Sequence, residues 1–116
     1  MGNKANMILA KAAEILENQP RGVRFVLARN NRGDQVSIAS DKATCFCTLG
    51  AIDRAEFELG IRSKTAKITA LNRIQKIIDY IYIGAFNDRP DVRKQDMVGV
   101  LTLAQIVNTS KMKEPQ

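Results

Sequence analysis

Ala43-Thr44-Cys45-Phe46-Cys47-Thr48-Leu49-Gly50-Ala51-Ile52-Asp53-Arg54-Ala55-Glu56-Phe57-Glu58-Leu59 carries the clearest pattern in the chain. Cys45, Leu49, Ile52, Ala55 and Leu59 recur at helical spacing, and Asp53, Arg54, Glu56 and Glu58 fall mainly outside that stripe. This predicts an amphipathic helix opened by Ser40 or Asp41 and closed by Gly60. Gly50 interrupts its interior, where glycine costs up to ~1 kcal/mol relative to alanine. The expected compensation is another backbone passing close over Gly50 and Ala51.

Downstream, Leu71, Ile74, Ile78 and Ile81, flanked by Ile77, predict a third helix from Thr65 or Thr69 to about Ile83, with Arg73, Lys76 and Tyr80 opposite and Gly84 as its stop. Residues Ala85 to Asp91 read as a compact turn. A fourth helix follows from about Arg93 to Val107, apolar on more than one side through Met97, Val100, Leu101, Ala104 and Val107. Upstream, Arg24 to Ala28 is β-prone, Asn30 to Asp34 is turn-rich, and Gln35 to Ala39 alternates polar and apolar. These segments predict a hairpin, or two short extended segments, resting on helices, since a lone two-stranded hairpin is marginal. Ile8, Ala12, Ile15 and Leu16 mark a first helix over residues 4–18, which Pro20 bars from continuing. The expected fold is mainly α with a small β element (α+β): a compact four-helix domain with a short hairpin between helices 1 and 2. A single globular domain is expected over residues 1–108, with residues 109–116 as a flexible tail.

Among 116 residues, 45% are hydrophobic and 26% charged, proportions of a folded globular chain. Lys4, Lys11, Glu14 and Glu17 break any signal-peptide core, and no apolar run approaches the ~20 residues of a membrane span. Cys45 and Cys47 lie too close in sequence to brace the fold with a bridge, so a reducing, cytoplasmic setting is expected. The net charge of +6 is uneven: six basic and two acidic residues in 1–33, five basic and one acidic in 61–80, and a net negative middle. Arg21, Arg24, Arg29 and Arg32 around the β element, with Arg62, Lys64, Lys67, Arg73 and Lys76, form the best set for phosphate contacts. A merely solubilising surface accounts for the same charges.

The chain has no histidine. That removes the usual acid–base residue near neutral pH, Cys-His and Ser-His pairs, and most zinc sites, so no catalytic residue, metal site or cofactor is assigned. No glycine-rich phosphate loop occurs. The pair Cys45 and Cys47 reads as packing: on a helix the two point apart, and in an extended segment they share a side but still lack a base. Asn87, Asp88 and Arg89 could clamp a ligand or partner. Alternatively Asn87 or Asp88 closes an Asx-type turn, Asp91 caps the last helix and Phe86 anchors in the core.

The order Gly22-Val23, Leu27-Ala28-Arg29, Gly33, Phe46-Cys47-Thr48-Leu49-Gly50-Ala51, Ala55 and Phe86-Asn87-Asp88 resembles a family of small bacterial and phage domains of uncharacterised function. That family typically shows His-Gly-Trp, Gly/Ala-Leu-Ala-Arg, Trp-Cys-x-x-Gly-Ala and Trp-Asn-Asp motifs. The match runs from about Ile8 to Ala104. Val23, Phe46 and Phe86 stand where tryptophan is typical, and Arg21 replaces the histidine. The resemblance implies a common fold, with Cys47 packed near Gly50 and Asn87-Asp88 fixing the last turn, and implies no activity. The expected function is a small non-enzymatic binding or regulatory module, of bacterial, phage or prophage origin, acting through a protein partner or self-association and not at a membrane. The alternative is nucleic-acid binding through segments 21–32 and 62–76. An enzyme built on Cys47, Asn87 and Asp88 ranks below both.

Overall fold

A computed structural model describes residues 2–78 and 82–106. Helix α1 (Gly2–Asn18) is followed by the strands β1 (Ala28–Arg29) and β2 (Cys45–Phe46), then by α2 (Thr48–Leu59), α3 (Lys64–Ile77), the short α4 (Ile83–Asn87) and α5 (Lys94–Ile106). Among the described residues five helices stand where four were expected. Tyr80, Ile81, Val107 and the expected tail at 109–116 lie outside the described residues.

The core is organised around α1, which packs on α2, α3 and α5. Its Ala5, Ile8, Leu9, Ala12 and Leu16 are buried at three- and four-residue spacing. Alanines recur on the facing helices, at Ala51, Ala55, Ala66, Ala70 and Ala104. Short side chains allow close helix axes, and Ile52, Ile74 and Leu101 fill the space between them. Full burial of each such aliphatic side chain contributes about 1.5–3 kcal/mol.

The helix expected from Ser40 or Asp41 begins only at Thr48. Cys45 and Phe46 instead form a strand, antiparallel to β1, with Ala28 opposite Phe46 and Arg29 opposite Cys45. The physical reason is that Cys45-Phe46-Cys47 fits a period of two as well as a helical stripe, and pairing satisfies its backbone. Residues 30–34 form the expected turn, with Asn30 Oδ1 accepting from the N–H groups of Arg32 and Asp34 and with Gly33 at φ 87. Gln35 touches back on Arg29 as a single bridge. The main partner of β1 is thus β2 and not the segment 35–39.

Cys47 is the N-cap of α2: its extended backbone (φ −77, ψ 176) aims Sγ at the N–H of Gly50, 3.3 Å away. Gly60, at φ 68, closes the same helix in a Schellman-type turn, with Ile61 N–H on Glu56 O at 3.1 Å. Ser63 Oγ caps α3 through Ala66 N–H at 3.1 Å. The third helix ends at Ile77 rather than Ile83, and the residues expected as a turn from Ala85 belong to α4 up to Asn87. Arg73, expected on the face opposite the core, is buried at 5% exposure, and its Nη1 donates to Asn6 Oδ1 on α1 at 2.5 Å. Desolvation there holds its guanidinium below the ordinary arginine range.

Candidate functional site

Three chain segments meet at Asn87, the last residue of α4. Its Oδ1 accepts from the backbone N–H of Thr48 at 3.0 Å and from the Thr48 hydroxyl at 2.7 Å. Its Nδ2 donates to Val23 O at 2.8 Å and to Asp88 Oδ1 at 3.2 Å. One buried carboxamide therefore ties α4 to the start of α2 and to the loop entering β1, with two acceptances and two donations. Aspartate could not donate to Val23, and a hydrocarbon of the same size could make none of these bonds.

Asp88 extends the node. Its Oδ1 also accepts from the N–H of Phe25 at 3.0 Å. Phe25 is in the left-handed region, at φ 74, and the residue is 78% exposed. For a bulky residue that conformation costs about 1–2 kcal/mol. Nothing in the run Arg24 to Ala28 signalled it, because sequence patterns identify left-handed positions mainly through glycine or asparagine.

Beside this corner lie both thiols. Cys45, Cys47 and Val23 form one buried cluster, flanked by Val26 and Leu49. Burial pushes the Cys47 thiol above its ordinary range, outweighing the amides of Gly50 and Leu49 that favour the thiolate; Asp88 and Asp53 act in the same direction as burial. The result is a neutral capping sulfur, not an activated nucleophile. Among the described residues no three His, Cys, Asp or Glu side chains gather as a metal site.

The other nominated side chains are dispersed. Arg24 Nη2 donates to Val92 O at 2.7 Å, and Arg24 lines the same cavity as Asn87. Arg89 lies over the Phe86 ring, 5.4 Å from its centroid, and pairs with Asp91 at 3.1 Å. Arg29 Nη1 donates to Gly33 O at 2.8 Å, bracing the turn after β1. Arg73 and Lys76 belong to α3 and are not brought to the corner. Gly50 stands under the Leu27 backbone.

Gln19 is a residue of the site that the sequence does not mark. Buried just past α1, its Nε2 donates to Phe46 O at 2.9 Å and its Oε1 accepts from Phe46 N–H at 2.7 Å, so its amide completes the outer edge of β2. A glutamine before Pro20 carries no local signature of that role. A cavity of about 340 Å³ opens between the end of α1, residues 21–24, Asn87 and the start of α5.

These features define a small helical protein with a two-stranded antiparallel sheet, cornered on a buried asparagine. The chain belongs to the family of unknown function DUF6197, whose model matches residues 2–105. No curated protein and no solved structure matches it significantly. Among the described residues no helix is long and apolar enough to cross a membrane.

Proposed function

We propose that this chain is a non-enzymatic binding module, regulatory in kind, that acts through protein contacts with Phe25 as its anchoring side chain. The observation carrying this reading is the exposed Phe25 ring on a left-handed residue whose N–H is held by Asp88. Strained backbone persists where its surroundings over-determine it, and such positions concentrate at functional sites. A large aromatic on a fixed backbone position has only its two side-chain torsions to lose on docking and makes a strong interface anchor. Leu27, two residues on, is 42% exposed and adds apolar surface. Cys45 and Cys47 as free thiols support a cytoplasmic setting. The bacterial or phage source implied by the motif resemblance belongs to the same reading.

Nucleic-acid binding through 21–32 and 62–76 has less support. Arg24 and Arg29 donate to the carbonyls of Val92 and Gly33, and Arg73 is buried against Asn6. Those bonds occupy part of each guanidinium and leave fewer donors for a run of backbone phosphates.

The test is photo-crosslinking in extract of the source organism, with benzoylphenylalanine at position 25 and, as control, at the exposed Met7. A protein adduct, to a partner or a second copy, that depends on position 25 supports the reading. Equal adducts from both positions would overturn it. So would binding to DNA or RNA at ~50 mM salt that falls steeply as salt rises.

A further inference from the structure

We infer that the cleft beside Asn87 binds a small amphipathic anion, its carboxylate or phosphate held by Arg21, Arg24, Arg93 and Lys94. The inference does not rest on the reading of Phe25, although Arg24 is that residue's neighbour in the chain.

Four cationic side chains from two segments, residues 21–24 and 93–94, line one cleft, and none of the described residues lining it is acidic. Like charges gathered around a low-dielectric concavity repel one another, and an anion between them relieves that repulsion. The deep wall is apolar: Leu16, Phe46 and Met97 are each at most 5% exposed. At about 340 Å³ the cleft suits a compact molecule, near the lower end of the ~300–1,000 Å³ range of small-molecule sites.

The donor inventory points the same way. Gln19 and Asn87 also line the cleft, but both carboxamides are engaged by the fold. Lys94 Nζ donates to the carbonyls of Glu17 and Gln19, at 3.1 and 2.9 Å, which leaves one of its three protons. Arg24 uses Nη2 on Val92 O, and its Nε is a buried donor with no acceptor. Orphaned donors of that kind are rare in folded proteins; this one is almost fully covered, so an oxyanion would have to seat directly against the guanidinium to satisfy it. The start of α5 is not the source of the inference, because Arg93 N–H is already taken by Asp96 Oδ2 at 2.8 Å.

The test is a titration followed by amide NMR at low salt with hexanoate, hexyl phosphate and the uncharged hexanamide. Saturable shifts confined to residues around Gly22, Val23 and Lys94, with either anion and not with hexanamide, support the site; the stronger of the two identifies the head group. Arg21 and Arg93 are exposed, so Arg21→Gln with Arg93→Gln leaves the fold intact and is expected to weaken binding about tenfold. No saturation with either anion, equal shifts from hexanamide, or unchanged affinity in the double variant would each overturn the inference.

Discussion

The carbonyl oxygen of Leu27 occupies the space in which a side chain at Gly50 would begin: a Cβ there would stand 2.0 Å from that oxygen and 2.8 Å from its carbon. The obstacle is backbone and cannot swing aside. The same oxygen accepts from the N–H of Cys47 at 3.1 Å, so displacing it also breaks the bond that seats the start of α2. Gly50→Ala is therefore expected to cost about 3 kcal/mol or more, at the upper end of overpacking effects. Urea unfolding reads this as a lower midpoint, and an unchanged melting temperature would refute it.

Replacing Asn87 by leucine strands the Thr48 N–H, the Thr48 hydroxyl and the Val23 carbonyl. The expected loss is about 2–4 kcal/mol, since several buried polar groups lose their partner together. Thr48→Val in that background should then cost less than in the wild type. A double-mutant cycle measures the coupling, and simple additivity would argue against the node.

Cys47 offers a test of its capping role. Cys47→Ser keeps an acceptor for Gly50 N–H, whereas Cys47→Ala removes it and should be less stable than the serine variant by about 1 kcal/mol. The pH dependence has a defined sign. Burial raises the folded thiol above the unfolded value of about 8.5, so in alkali the folded state keeps a proton that the unfolded chain has released. Stability is full below about pH 8.5 and declines as pH rises toward the folded value. Thermal melts from pH 8 to 10 should show a steeper decline for wild type than for Cys47→Ser, and thiol labelling at position 47 should track unfolding.

On the acid side, the hydrogen bond from Arg54 Nε, at 2.6 Å, holds the Glu58 carboxyl below the usual carboxylate range, against the opposing effect of burial and with help from Lys11. A lowered folded value gives stability that is present above the unfolded value, about 4.3, and is lost as pH falls through the folded one. Glu58→Gln should flatten that acid limb in urea titrations. The pair is solvent-accessible, so the change stays within about 1 kcal/mol and shrinks in salt. Arg54 keeps its bonds to the Ile38 and Ser40 carbonyls in the variant.

How far the fold can be read from the residues depends on how local the signal is. Helix α1 shows its stripe from Ile8 to Leu16 and its stop at Pro20, and α5 lies within one residue of its expected start. The start of α2 was displaced because its cap is a cysteine, outside the usual Ser, Thr, Asp and Asn set. Arg73 misled because arginine on a helix is ordinarily solvated, and only the nearby Asn6 makes its burial tolerable. At the corner, Asn87 and Asp88 stand out in the sequence as polar residues, but their bonds reach Val23, Phe25 and Thr48, far along the chain. No periodicity encodes such partners.

The bonds from Gln19 to Phe46, Thr48 to Asn87 and Asn87 to Val23 span 27, 39 and 64 residues. A chain wound mostly into helices thus cannot assemble as a string of nearest-neighbour hairpins, because large loops have to close before its polar joints gain anything. Its refolding rate should sit with mixed α/β topologies rather than with fast helical bundles of equal length.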